Sequence, residues 1–281
     1  MPEDEIMGFG SEEEWMRFNK EFPVFVEKYP AIEAVRDKVF QRKGEGTLFD
    51  IAMFAFGKVC AEDFQQAFVL CGNGFGIGAL QIVRGMCERH VTAAYLLKYP
   101  DQLDRFLEYD KVQRGKGLIH FSRPYTRAEM DKMIPREEQD RVMADYEEVK
   151  KDFRDVLCRK CETTQAMRSW TTLSTLDLAI KGERGLQDHY YHDYYEPTMM
   201  SHSTAASLSA RIRPDENGHP FFDVEGQHRK VKGAIIAAHL LFLLVLDLQN
   251  DYFKLGLDAA LKQLSRDYRD CWAPNATDPP E

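Results

Sequence analysis

CGNGFGIGALQIVRGMCERH, residues 71–90, is the stretch on which the fold turns. Glycines stand at 72, 74, 76 and 78, and a segment carrying an arginine, a glutamate and a histidine follows them. A dinucleotide-binding turn needs Gly-x-Gly-x-x-Gly after a strand, inside a βαβ unit. Here the spacing differs and the preceding residues have a helical period. A phosphate-cradling P-loop would end in Gly-Lys-Ser/Thr, which is absent. The run therefore predicts one helix ending at Gly72 and Gly74. Gly76 and Gly78 then let a second helix approach a neighbour closely.

Outward from this junction nearly every segment has a helical period. Ser11 and Glu14 form a capping box ahead of a Trp15, Phe18, Phe22 and Phe25 stripe, and Pro23 should kink or split that helix. Pro30 opens a second helix. Residues 47–70 are apolar almost all round, as in a central buried helix. Further helices are predicted over 75–99, 101–116, from the Thr126/Glu129 capping box, and from Pro135 to about residue 161. Five more follow over 173–181, 185–195, 197–211, 226–254 and 257–270. No convincing strand appears, apart from a short candidate at 221–224. The expectation is an all-α chain, a single multi-helix bundle with two longer loops at 117–127 and 211–225. Its parts are N-terminal helices in 1–44, a main bundle in 45–271 and a disordered tail in 272–281.

A chain of 281 residues with 44% hydrophobic and 30% charged residues can bury a sizeable core as an ordinary globular protein. The net charge of −9 argues against nucleic acid and anionic membranes as partners. A small anionic ligand, a protein partner or a second copy of the chain remain. The N-terminus has no secretory pattern, and the apolar run 233–246 is short for a bilayer and contains His239. A cytoplasmic location is expected.

The motifs that carry chemistry are few. Cys158 and Cys161 have no second pair, so no metal is expected there, and no cofactor motif occurs. The stretch 111–128 has five basic residues and no acids, with Phe121 and Tyr125 interleaved, and reads as a solvated loop. Arg84 and Glu88 share a helix face with Ile77, Leu80, Val91 and Tyr95. A charged pair on an apolar helix is costly to bury unless paired, so Arg84 and Glu88 are expected inside, with His90 off that line at the surface. On that expectation Glu88→Ala should cost about 3–5 kcal/mol, far more than His90→Ala. Arg84 and His90 also mimic the Arg-x(4–6)-His signature of HEPN-type ribonucleases, but six residues of helix set them about 120° apart. HYYHDYYEPTMMSHS, 189–203, contributes Tyr191, Tyr195, Thr198 and His202 along one line, and a His192-Asp193 doublet of the kind HD-type phosphohydrolases use with metal.

An Arg-x-x-x-Glu helix, then Tyr95, the Tyr99-Pro100 stop and a Phe106/Tyr109-Asp110 helix are one half of a recognisable pattern. Trp170 before LSTLDLAIKG, then Tyr191, Tyr195, Thr198 and His202, supply the other half. Together they resemble DUF5677, an uncharacterised all-helical bacterial family of unknown function, over about residues 45–250. Threonine stands where the family usually has serine, and Pro197 interrupts the tyrosine line. The resemblance implies a helical fold in which the Arg/Glu helix and the Tyr/His helix are paired features.

Two functions follow as expectations. As a hydrolase of a phosphate ester or RNA, the chain would use His202 as acid/base, Arg84 to hold an anion and Glu88 to orient one of them. As an interaction or ligand-binding domain, it would bury the same residues as a polar centre, with Tyr191, Tyr195 and Thr198 contacting the ligand. The second is favoured, because neither a nucleophile nor a metal set accompanies the cluster.

Overall fold

The structure, a computed structural model, describes residues 10–41, 45–158, 163–223, 225 and 227–273. The Ser11 hydroxyl accepts from the Glu14 N–H and starts α1 (Glu12–Glu21). The other half of the expected capping box is diverted: Ser11 N–H donates to Asn73 and the Glu14 carboxylate meets His228. Pro23 splits the N-terminal segment and begins α2 (Pro23–Phe40). Pro30, expected to open that helix, lies inside it. Buried Phe25, Ile32, Val35 and Val39 flank it, so packing on both sides outweighs the lost backbone bond.

A reciprocal capping box of Thr47 and Asp50 opens α3 (Leu48–Gly72). Gly74 then takes the left-handed conformation at φ 77°, and α4 (Gly76–Lys98) starts two residues later. A Cβ on Gly76 would stand 2.4 Å from the Val231 backbone nitrogen, whereas one on Gly78 meets nothing nearer than 3.7 Å. Close approach is thus the business of Gly76 and not, as expected, of Gly78.

Beyond a turn at Pro100–Gln102, α5 (Leu103–Ser122) runs through half of the expected 117–127 loop. The Thr126/Glu129 capping box opens α6 (Arg127–Met133), and α7 (Arg136–Val149) follows Pro135. The charged helix expected to reach residue 161 stops at Val149. Phe153 turns inward, buried 5.4 Å from the Tyr109 ring and beneath the Arg105 guanidinium, and a continuing helix could not place it there. After it, β1 (Arg154–Cys158) pairs antiparallel with β2 (Thr163–Ala166). Next come α8 (Thr175–Gly182), a 3₁₀ turn at Leu186–His189, a π turn at Tyr191–Tyr195 and α9 (Glu196–Ser201). The helix expected over 197–211 breaks at His202, which is extended at ψ 157°, before Thr204 caps α10 (Ala205–Ser209). The 211–225 loop contains a hairpin of β3 (Ile212–Pro214) and β4 (Pro220–Phe222). A turn at His228–Lys230 leads into α11 (Val231–Phe253), and α12 (Asp258–Trp272) closes the chain. The fold is all-α, with two short antiparallel ladders among the described residues. Cys161 and residues 274–281, most of the expected tail, lie outside those residues; Trp272 belongs to α12.

Two compact units divide the chain: Met1–Tyr95 with Ala179–Glu281, and Leu96–Leu178. In the first, α11 lies along α3, and α2 and α12 pack on it. Phe64 and Phe242 stack at 4.4 Å across the α3–α11 contact, and Gln249 donates to the Met53 carbonyl. His239 sits among Phe25, Phe64, Tyr268 and Trp272, its Nδ1 accepting from the Trp272 indole at 3.1 Å. The segment His228–Phe253 is long and apolar enough to cross a membrane, yet 67% of its apolar window is buried in the protein, as befits a core helix. In the second unit α5 packs along α7, and the β1–β2 ladder follows.

Candidate functional site

Three residues predicted from separate parts of the sequence, Arg84, Glu88 and His202, meet on the first unit. On α4, Arg84 donates from Nε and Nη2 to Glu88 Oε1 at 3.2 and 3.1 Å, the one-turn pairing their spacing allows. Arg84 Nη1 lies 3.4 Å from His202 Nε2, and the guanidinium carbon is 5.8 Å from the centre of the Tyr194 ring. These contacts occupy three of the five N–H donors of the guanidinium. The Thr198 hydroxyl donates to the Tyr194 carbonyl at 2.6 Å and steadies the turn that carries this tyrosine.

The cluster is a surface, which corrects the expectation of a buried polar centre. Side-chain exposure is 27% for Arg84 and 43% for Glu88, and His202 is exposed. Tyr191 and Tyr195 are 55% and 48% exposed, their rings 5.6 Å apart. The π turn is the cause. Its wider winding carries Tyr191 and Tyr195 outward and turns Asp193 in, and such turns occur preferentially at functional sites. Because the helix also breaks at His202, the imidazole leaves the tyrosine line and reaches Arg84.

Beneath this face lies a group that sequence reasoning missed as a single residue. Asp193 is 3% exposed and its Oδ2 has no hydrogen-bond partner among the described residues. Burial pushes its carboxyl up to about 7. Burial chiefly, and Asp193 in addition, also raise the Cys87 thiol and push the Tyr268 hydroxyl up to about 12. The His192-Asp193 doublet drew attention to this place for a different reason. His192 is 74% exposed and lies 3.8 Å from Glu196, and among the described residues no cluster of three His, Cys, Asp or Glu could hold a metal.

His90 also departs from expectation. It is 2% exposed instead of lying at the surface, its Nε2 is unpartnered, and burial together with nearby Arg184 lowers it to about 3. The off-line position faces a second layer of protein, because α4 is a central helix with neighbours on several sides. Arg84 turns to His202 and His90 to the core, so the HEPN-like Arg/His pair does not assemble. His228 was missed too. Its two ring nitrogens each lie 3.1 Å from a carboxylate, Glu14 on one side and Glu21 on the other, and the three tie α1 to the start of α11. Nothing local in the sequence distinguishes it.

Such a molecule is an all-helical protein with an Arg–Glu–His cluster and a tyrosine pair on its surface. The chain belongs to DUF5677, a family of unknown function, which matches residues 49–220. No curated protein and no solved structure matches the chain. The family match includes Arg84, Glu88, the tyrosine pair and His202, and leaves out α1, α2, α11 and α12.

Proposed function

We propose that the chain is a cytoplasmic ligand-binding domain whose Arg84–His202 face takes a small anion carrying a flat apolar group. One observation carries this reading. The Arg84 guanidinium is held by Glu88, His202 and the Tyr194 ring, yet stays partly open to solvent, and the turn that carries Tyr194 also exposes Tyr191 and Tyr195. A pre-oriented guanidinium recognises phosphate or carboxylate, and exposed rings stack on planar groups at small entropic cost. Glu88 orients the arginine and makes the face selective, since an incoming anion has to approach from the side away from it.

Phenyl phosphate, inorganic phosphate and phenol are suitable probes. Phenyl phosphate should bind with a Kd near or below about 1 mM, equivalent to about 4 kcal/mol. Arg84→Ala and His202→Ala should each weaken it about tenfold. Tyr195→Ala should weaken phenyl phosphate while leaving inorganic phosphate unchanged. No saturable binding of phenyl phosphate at 10 mM (about 2.7 kcal/mol) would overturn the reading.

A hydrolase of phosphate esters is the second reading, and it rests on the imidazole standing beside the arginine. It requires slow turnover of p-nitrophenyl phosphate that disappears in His202→Ala and survives in Tyr195→Ala.

A further inference from the structure

The second unit contains a cleft of about 340 Å³ between α5 and the segment 168–170, remote in sequence from Arg84 and His202. Its aromatic wall is Phe106, Tyr109 and Trp170, with Phe106 and Trp170 edge to face at 5.4 Å. Asp110 and Gln113, one turn apart on α5, and Arg168 form its rim. All three rim side chains are exposed, and among the described residues none has a hydrogen bond or ion pair.

The wall is fixed from behind. Arg105 Nε donates to the Trp170 carbonyl at 2.9 Å, the Tyr109 hydroxyl and Lys116 both donate to the Met167 carbonyl, and Met167 N–H donates to the Phe153 carbonyl. The backbone of 167–170 is thereby tied to α5, while the Arg168 side chain and the Asp110–Gln113 edge are left unused. A rigid aromatic wall of this size with a few unspent polar groups at its rim is the make-up of a small-molecule site.

The rim narrows the chemistry. Aspartate in its ionised form only accepts hydrogen bonds, so it favours a ring edge with two adjacent donors. Glutamine beside it can donate to a ring carbonyl, and arginine can hold a charged substituent. Among common planar heterocycles guanine has that edge: N1–H and N2–H next to O6. We propose that this cleft binds a guanine mononucleotide, with the base against Trp170 and Phe106, its Watson–Crick edge on Asp110 and Gln113, and its phosphate on Arg168.

Titration of the full-length protein with GMP, followed by tryptophan fluorescence and by calorimetry, tests this. GMP should quench saturably and bind at least tenfold tighter than AMP, guanosine or inorganic phosphate. Asp110→Asn should abolish the preference for GMP over AMP, and Arg168→Ala the preference for GMP over guanosine. Both sites are exposed, so unchanged thermal melting would show that the variants are folded. Arg84→Ala should leave GMP binding intact, which separates this site from the face on the first unit. Absence of saturable GMP binding at 5 mM overturns the proposal, as does GMP binding untouched by Asp110→Asn and Arg168→Ala or abolished by Arg84→Ala.

Discussion

His202 Nε2 lies 3.4 Å from Arg84 Nη1, although the two residues are 118 apart in the chain. The contact depends on two breaks in helical regularity, the π turn at Tyr191–Tyr195 and the extended His202 that ends α9. A continuous helix through 189–211 would keep His202 in line with Tyr191 and Tyr195. The arrangement of this face is thus tied to local geometry that costs helical hydrogen bonds, and tertiary packing has to offset that cost.

The burial of the two neighbours on α4 reverses the stability order expected from helical periodicity. Glu88 is partly exposed and its ion pair is of the one-turn surface type, so Glu88→Ala should cost only about 0.5 kcal/mol. His90 is enclosed, and His90→Ala should cost about 2 kcal/mol or more through the cavity it leaves. Urea denaturation of the two variants checks the order; equal losses would show that α4 is rotated from the orientation described.

Asp193 should give the chain a pH dependence that Asp193→Asn lacks. Its carboxyl keeps a proton up to about pH 7 in the folded state, whereas the unfolded chain releases it near pH 4. Its contribution is therefore fully present below about pH 4 and is lost as pH rises towards 7, a change on the order of 4 kcal/mol. His90 and His239, both lowered to about 3 by burial, act the other way: their contribution is present above about pH 6.5 and is lost as pH falls. They are common to both proteins and cancel in the difference. Unfolding free energies of wild type and variant at pH 5 and pH 8 should differ in the stated direction, and a constant difference would refute the assignment.

Trp272 fastens the end of α12 to the core with its ring and with one hydrogen-bond donor. Trp272→Phe preserves an aromatic ring against Phe22 and Phe25 but leaves His239 Nδ1 without its hydrogen bond. The cost should be about 1–3 kcal/mol in a urea melt. A loss no larger than that of an exposed control such as Phe222→Leu would show that the indole N–H contributes nothing.

The glycine run offers a contrast of two substitutions two residues apart. Gly76→Ala forces a methyl into the backbone at Lys230 and Val231 and should destabilise by about 1–3 kcal/mol or more. Gly78→Ala meets only ordinary contact with Leu70 and should stabilise the helix by up to about 1 kcal/mol. Opposite signs in thermal melting are the expected result, and the same sign for both would contradict the packing at this junction.

Much of this molecule is legible without coordinates, because the signals are local. The Thr126 cap, the split at Pro23 and the helix end at Gly74 each follow from chemistry within four residues. The pairing of Arg84 with Glu88 is likewise a property of one helix turn. The missed elements failed for a shared reason. α7 ends where Phe153 finds a place against Tyr109 and Arg105, and those residues lie more than forty positions away. The π turn, which goes with Asp193 buried and Tyr191 and Tyr195 facing solvent, is a break in winding that no period in the sequence encodes.

The amino-acid sequence by itself determined the helical class, most helix starts and which residues carry charge on apolar faces, since these depend on backbone propensity and neighbours three or four positions apart. Tertiary structure alone decided which side of α4 meets water, that His90 is enclosed while Glu88 is not, and that Arg84 finds His202. Periodicity distinguishes the faces of a helix, but a helix buried on several sides has no single inner face. Which charged residue is solvated there depends on where the other helices stop, and that is fixed only by packing.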